Sequence, residues 1–448
     1  MEKMQWQRLI SDKRFGLEDF HEPDRRGSRT DFRRDYDRLV FSSPFRRLQN
    51  KTQVFPLPGA IFVHNRLTHS LEVSSVGKSL ADSISGELRR RYAGSPEAEP
   101  LNHLGDIVSA ACLAHDLGNP PFGHSGEKAI STFFSEGAGR SLRDSLASRQ
   151  WADLVHFEGN ANAFRVLTHQ FNGRRPGGFA MTYSMLASIV KYPFESMLAT
   201  KNKFGFFTTE VADFEKVAAE LGMLRLSAPG EPVRYARHPL VYIVEAADDI
   251  CYEVMDIEDA HKLRILTTAE VTDALLSYFD PDRRDHMCAV MSRVADPNEK
   301  VAYMRSCVVG ILVDACARAF IDAEDDILAG RMTGSLLDHI PERERAGFAA
   351  CNDLSWSKIY CAGDVVDIEL AGNRIITFLL EKLIDAVLHP DLNYSRLLLS
   401  KVPEQYDVRA DSLYGRVQAV LDHVSAMTDV YALDLYRRLN GFSLRLES

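Results

Sequence analysis

Four side chains in this sequence combine metal-ligand chemistry with placement on or beside apolar helical segments: His69, the adjacent pair His115–Asp116, and Asp248. Imidazole nitrogen beside carboxylate oxygen is a partial ligand set for a divalent transition metal, though two ligands alone do not hold one. His69 and Asp248 bring the set to two histidines and two carboxylates. Taken singly, each has a plainer reading. A histidine at a helix start is an ordinary cap or surface group, a His–Asp pair an ordinary hydrogen-bonded couple, and Asp248 with Asp249 can face solvent. Spacing weakens that last reading, because Asp248, Tyr252 and Asp256 step by four and share one face of a helix with apolar flanks. Repeated polar groups on such a face imply a wet pocket.

The elements that must position these groups read as helices. Leu71, Val73, Val76, Leu80, Ile84 and Leu88 form one apolar face, and similar faces recur in 107–117, 241–254 and 368–388, the last stopped by Pro390. Strand alternation is scarce, so the fold class is expected to be all-α. Ser43 followed by Pro44 predicts a helix start with Ser43 as the cap, in a helix carrying Arg46, Arg47, Leu48 and Lys51. Glycine and proline mark loops at 94–100, 172–178 and 227–232, none resembling a long linker. One elaborated helical domain follows, with a core over about 40–280 and a helical extension over about 281–448.

The 448 residues are 45% hydrophobic and 26% charged, which sets disorder aside. A net charge of -10 gives no global basic field for duplex DNA, so an anionic substrate has to meet a local basic pocket. Small basic clusters at Arg25–Arg26, Arg33–Arg34, Arg46–Arg47, Arg89–Arg91 and Arg174–Arg175 are minor candidates for a nucleic-acid effector site beside their ordinary reading as solvated faces. Seven cysteines without a CxxC argue against a disulfide framework and a cysteine zinc site, and most are expected to be buried thiols. The N-terminus lacks a signal-peptide core and no apolar run approaches the ~18 residues of a membrane span. A reducing cytoplasm is the expected compartment.

The order His69, His115–Asp116, Asp248 resembles the H…HD…D signature of the HD superfamily. The stretches RLQNKTQVFP (47–56), HNRLTHSLEV (64–73), AHDLGNPPFGHSGE (114–127), FEGNANAFR (157–165), KYP (191–193) and EAADDICYEVMDIEDA (245–260) are similar to the bacterial dGTP triphosphohydrolase family, as is MTDVYALDLYRRLNG near the C-terminus. Asn65 stands where many relatives have threonine, and the interval from the HD pair to Asp248 is shorter than in the longest members. Base specificity and effector response stay open on that account.

The resemblance implies an HD-domain helical fold and a hydrolase acting on deoxynucleoside triphosphates, dGTP first. Water would attack the α-phosphorus and release deoxynucleoside and inorganic tripolyphosphate. His69, His115, Asp116 and Asp248 would ligate a divalent ion, with manganese, iron, cobalt or nickel better suited than calcium and magnesium able to serve. His124 lies beyond the glycine–proline turn and Glu127 one helical step later, which permits a His–Glu couple; the resemblance assigns this couple to catalysis, as acid toward the 5′ oxygen or as positioner of water. Arg66, Lys191 and Tyr192 look like the triphosphate clamps, Gln53 and Asp256 like the pair on the sugar 3′-hydroxyl, and Tyr252 like the ring packed on C2′. A homo-oligomer, hexameric by resemblance, and a nucleotide or single-stranded DNA effector are the further partners implied. The alternatives are an HD phosphohydrolase of another nucleotide, and a non-catalytic regulatory protein that binds nucleotide or single-stranded DNA.

Overall fold

The computed structural model describes residues 3–19, 29–55 and 63–442, so Arg25–Arg26 and Pro56 lie outside the described residues. The architecture is helical. Among the described residues the β pairings are isolated bridges, such as Phe194 with Arg234 and Glu195 with Phe206. The elements that matter here are α1 (Asp31–Val40), α2 (Arg66–Arg91), α3 (Leu104–Ala114), α4 (Gly123–Ser135), α5 (Pro239–Lys262), α6 (Pro297–Leu328), α7 (Gly363–Leu388), α8 (Leu413–Ser425) and α9 (Asp429–Leu439).

Helix α3 is the centre of the first apolar cluster. Ten of its residues are buried, with Asp106 the exception, as its almost unbroken apolar sequence requires. Helix α2 lies against it and α5 closely, because Gly77 leaves room: a Cβ there would sit 2.6 Å from Cys112 Sγ and 3.3 Å from Ala247. Of the apolar face expected on this helix, Val73, Leu80, Ile84 and Leu88 are at 0% exposure, each stabilising the fold by about 1.5–3 kcal/mol, whereas Val76 is half-buried and Leu71 is 40% exposed, so the buried face begins at Val73. Asn65 caps α2, accepting from the amides of Leu67 and Thr68 at 3.0 Å, and the Thr68 hydroxyl accepts from the Asn65 amide.

A second apolar cluster joins Ala129, Ile130 and Phe133 of α4 to Leu379 and Leu383 of α7 and Val417, Val420 and Val424 of α8. The helix that carries His124 and Glu127 is therefore seated on the C-terminal helices. Two local expectations shift. Ser42, not Ser43, caps the short helix Ser43–Arg47, which passes into a 3-10 turn at Leu48 and leaves Lys51 outside. Helix α3 stops at Ala114 rather than Leu117. All seven cysteines are free, and Cys112, Cys251, Cys316 and Cys351 are buried. No helix among the described residues is long and apolar enough to cross a membrane.

Candidate active site

Three helices converge on one point. His69 lies one turn into α2 and is 2% exposed, His115 and Asp116 follow the end of α3, and Asp248 sits midway along α5. His69 Nε2 is 3.0 Å from Asp248 Oδ1 and His115 Nε2 is 3.4 Å from the same oxygen. The two imidazole rings lie edge to face, 5.5 Å between centroids. One ligand atom from each of His69, His115 and Asp248 falls within 4.8 Å of the others, a spacing that a single cation can bridge.

The state of His115 decides whether a metal fits. Its Nδ1–H donates to the Cys112 carbonyl at 2.6 Å, which fixes the tautomer and aims the Nε2 lone pair into the cluster. That Nε2 is buried and has no hydrogen-bond partner among the described residues. Burial disfavours a charged His115, yet Asp116 and Asp248 outweigh it and raise its pKa to about 9. The two carboxylates thus put a negative field on this nitrogen, which favours a positive charge there. Asp116 stands beside this trio rather than within it: its Oδ1 is 3.6 Å from His115 Nε2 and accepts from Asn119 Nδ2, while Arg66 donates to its Oδ2 at 2.7 Å. Burial alone would raise the Asp116 carboxyl, but Arg66, His115 and His69 hold it below the ordinary range.

The turn from α3 to α4 presents His124. Phe122, the residue before α4, has a φ of 62°, and Gly123 has a φ of 56°, a conformation that favours glycine. A Cβ on Gly123 would meet Arg66 Nη2 at 2.4 Å, so the start of α4 abuts the arginine that holds Asp116. The Phe122 amide donates to Asp429 Oδ1 at 2.9 Å and the Thr52 amide to Asp429 Oδ2 at 2.7 Å, tying this strained turn to α9. The side chain of His124 is exposed, with Nδ1 3.1 Å from Glu127 Oε2. Glu127 is buried and its Oε1 accepts from the Gly159 amide at 2.7 Å. The hydrogen bond to Glu127 raises the proton affinity of His124; burial would raise the Glu127 carboxyl, but His124 and Lys203 bring it lower.

On the other side, Lys191 Nζ lies 3.1 Å from Glu245 Oε1 and 5.9 Å from the Tyr192 ring, and Arg237 donates to Glu245 Oε2 at 3.0 Å. Burial lowers the proton affinity of Lys191, but Glu245 and Asp249 more than reverse this and keep the ammonium charged. Further along α5, Tyr252 is 37% exposed and stacks on Tyr360, with centroids 6.1 Å apart. Tyr360 OH donates to Asp256 Oδ2 at 2.9 Å. Burial raises the Asp256 carboxyl to about 8 despite that donor. Gln53 is half-buried, and its Oε1 has no hydrogen-bond partner among the described residues. Sequence reasoning missed Tyr360, Glu245, Asn119 and Asp429; the last three lay inside stretches similar to the family, and Tyr360 lay in none.

Residues 66–200 match the family model described as an HD domain, and residues 339–438 match a phosphohydrolase-associated domain. The chain is similar to deoxyguanosinetriphosphate triphosphohydrolase-like proteins of Synechocystis sp. and Pseudomonas aeruginosa (strain LESB58). Identity is 37% to both, over 98% of this chain and 100% and 99% of the relatives. It is 31% identical to the deoxyguanosinetriphosphate triphosphohydrolase of Serratia proteamaculans, over 91% of this chain and 93% of the relative. The chain belongs to the deoxyguanosinetriphosphate triphosphohydrolase family.

The two matched spans divide the site. The HD domain begins at Arg66 and includes His69, His115, Asp116, His124, Glu127, Lys191 and Tyr192, while Asp248 lies beyond it. The phosphohydrolase-associated span supplies Tyr360 to Asp256 and Asp429 to the Phe122 turn. Residues from both matched regions of this triphosphohydrolase family member thus meet around one centre.

Proposed function

We propose that this protein hydrolyses deoxynucleoside triphosphates, dGTP first among them, by attack of water on the α-phosphorus, releasing deoxynucleoside and inorganic tripolyphosphate. The observation that carries the reading is the buried, unpartnered Nε2 of His115, facing His69 and Asp248 at a spacing one cation can bridge. That donor set fits a divalent ion of the manganese, iron, cobalt or nickel kind, held by His69, His115 and Asp248 with Asp116 alongside. Such an ion, when bound, acidifies water and neutralises phosphoryl charge.

The chain's own residues supply the rest. Arg66, anchored on Asp116, and Lys191, anchored on Glu245, bring fixed positive charge to the triphosphate. His124 is exposed and its proton affinity is raised by the hydrogen bond to Glu127, so it is suited to deliver a proton to O5′ as the P–O5′ bond breaks, help commonly worth ~100- to 10,000-fold. Asp256, largely uncharged at neutral pH, suits hydrogen bonding to a sugar hydroxyl together with Gln53. Tyr252, backed by the Tyr360 ring, would fill the space a 2′-hydroxyl needs, giving steric preference for deoxyribose.

A panel of nucleotides tested with several divalent metals, scored for tripolyphosphate, tests the reading. Tripolyphosphate and deoxyguanosine in equal amounts from dGTP, abolished by chelation and by His115→Ala, is the expected result. Production of dGDP or dGMP would move the attack to another phosphorus, and undiminished turnover after exhaustive chelation would remove the metal.

A further inference from the structure

The face of α5 that carries Asp248, Tyr252 and Asp256 leaves one part of a nucleotide without a seat. With the nucleotide placed as proposed, the phosphates lie toward Asp248, the 3′-hydroxyl toward Asp256 and Gln53, and C2′ against the Tyr252 ring. The base is joined to C1′, next to C2′, so it must leave this face beside Tyr252. The rings there form a continuous array. Tyr252 stacks on Tyr360 with centroids 6.1 Å apart and planes at 28°, and Trp356 meets Tyr360 at 77° with centroids 5.1 Å apart. Tyr360 is anchored, because its OH donates to Asp256. Trp356 is 63% exposed, which leaves most of the indole open to a further ring.

Single exposed apolar side chains are common and need no function. Two features of the chain separate Trp356 from that ordinary case. It is presented by a π-helical turn, Ser355–Ile359, which continues the helix Glu342–Leu354 and in which the Tyr360 amide donates to the Ser355 carbonyl, five residues back, at 3.1 Å. Such turns are rare and occur often at functional sites; the extra residue shifts the side chains around it out of α-helical register. The turn is also held fast. Ser355 and Ile359 are at 0% exposure, the Cys361 thiol donates to the Trp356 carbonyl at 3.2 Å, and Lys358 pairs with Glu270 of the helix Thr268–Leu276. An indole open to solvent therefore sits on a fixed backbone, so stacking on it orders little that is not already ordered.

We infer that Trp356 is the platform on which the base of the nucleotide stacks, extending the Tyr252–Tyr360 pair outward from the sugar and favouring purines, whose larger ring system covers more of the indole. Every base has a π face, so stacking of this kind separates purine from pyrimidine by area and leaves guanine against adenine to other groups. This placement of the base rests on the hydrolysis proposed above.

The test uses the full-length, manganese-loaded protein as wild type, Trp356→Tyr and Trp356→Ala. Deoxyguanosine is the binding probe, because it carries base and sugar and has no phosphate to lose. Of the three tryptophans, Trp6 is at 0% exposure and Trp151 is half-buried, so a base on Trp356 is read in the solvent-exposed part of the emission. Deoxyguanosine should quench wild-type fluorescence saturably, deoxycytidine should need a higher concentration, and the quench should vanish in Trp356→Tyr. In initial-rate assays Trp356→Ala should raise the KM for dGTP about tenfold with kcat little changed, and Trp356→Tyr should recover most of that loss. No quench in wild type, or a quench that survives in Trp356→Tyr, would overturn the platform; so would an unchanged KM in Trp356→Ala or an alanine defect that tyrosine does not rescue. Equal affinity for deoxyguanosine and deoxycytidine would overturn the purine preference. Failure of dGTP to yield tripolyphosphate would count against the proposed reaction instead, and the fluorescence arm would still decide the stacking.

Discussion

Acid should weaken this fold through one histidine that no phosphate touches. His238 caps α5, the helix that carries Asp248, and is 0% exposed. Its Nδ1 accepts from the Leu240 amide at 3.2 Å, and its Nε2–H donates to the Leu9 carbonyl at 3.2 Å. That pattern requires the neutral ring, because a proton on Nδ1 would face the Leu240 N–H and lose the cap. Burial accordingly lowers the pKa from 6.5 to about 4, against the opposing hydrogen bond to Leu9. A depressed folded-state pKa means stability that is fully present above about 6.5 and is lost as pH falls from there through about 4. The whole interval corresponds to about 3 kcal/mol, of which about 2 kcal/mol has gone by pH ~5. His423, also lowered to about 4 by burial, adds a parallel contribution. Asparagine can keep the cap acceptor without titrating, so His238→Asn should flatten the loss of urea stability between pH ~7 and pH ~5 by about 2 kcal/mol relative to wild type. Parallel stability–pH curves for the two proteins would refute the assignment. So would a Cε1–H resonance of His238 that titrates near 6.5.

Gly123→Ala should lower kcat/KM about tenfold or more and cost about 1–2 kcal/mol of stability, since its Cβ at a φ of 56° would displace Arg66 from Asp116; unchanged steady-state kinetics would show that Arg66 does not need this clearance. Tyr360→Phe removes the donor to Asp256 while keeping the ring on Tyr252, so the KM for dGTP should rise about fivefold to tenfold, with kcat less affected. Initial-rate kinetics that match wild type would detach Tyr360 from the proposed sugar contact. Glu245→Gln frees Lys191 and Arg237, so KM should rise in the wild-type background and not further in Lys191→Ala; a full additive loss in the double variant would mean that Glu245 does not act through Lys191.

The parts of the site that were legible in the sequence are those set by local spacing. The four-residue step of Asp248, Tyr252 and Asp256 put them on one face of α5, and α5 indeed aims Asp248 at His69 and His115 while burying Asp256. Tyr360 had no such signal. It follows the π-helical turn Ser355–Ile359 and meets Asp256 at a sequence separation of 104, a contact made by tertiary packing alone. Asp429 reads locally as an acidic residue in the first turn of α9, yet both its oxygens go to amides of distant turns. The early end of α3 has a chemical cause that periodicity does not carry: the Cys112 carbonyl accepts from the His115 ring, and the chain leaves the helix to present that ring. At Ser42–Ser43–Pro44 two adjacent serines both satisfy the capping rule, and the structure selects the first, with proline at the second helical position.

What holds the turn between α3 and α4 in shape is then largely C-terminal. Asp429 fixes the amides of Thr52 and Phe122, Lys51 clamps the Asn119 carbonyl to that of Ser425, and Tyr360 completes Asp256. None of these partners belongs to the His69–His115–Asp248 cluster, and the helices supplying Ser425 and Asp429 are held by the second apolar cluster, where Val417 and Val424 are at 0% exposure and Val420 at 1%. A φ of 62° at Phe122 is a conformation that a non-glycine residue keeps only when its surroundings enforce it, and here the enforcing hydrogen bond comes from α9. Loosening α8 or α9 therefore lets Phe122 relax, moves Gly123 against Arg66, and frees Asp116 before any ligand side chain has been altered. Loss of packing in the C-terminal helices is therefore expected to disturb Asp116 beside the His69–His115–Asp248 cluster as well.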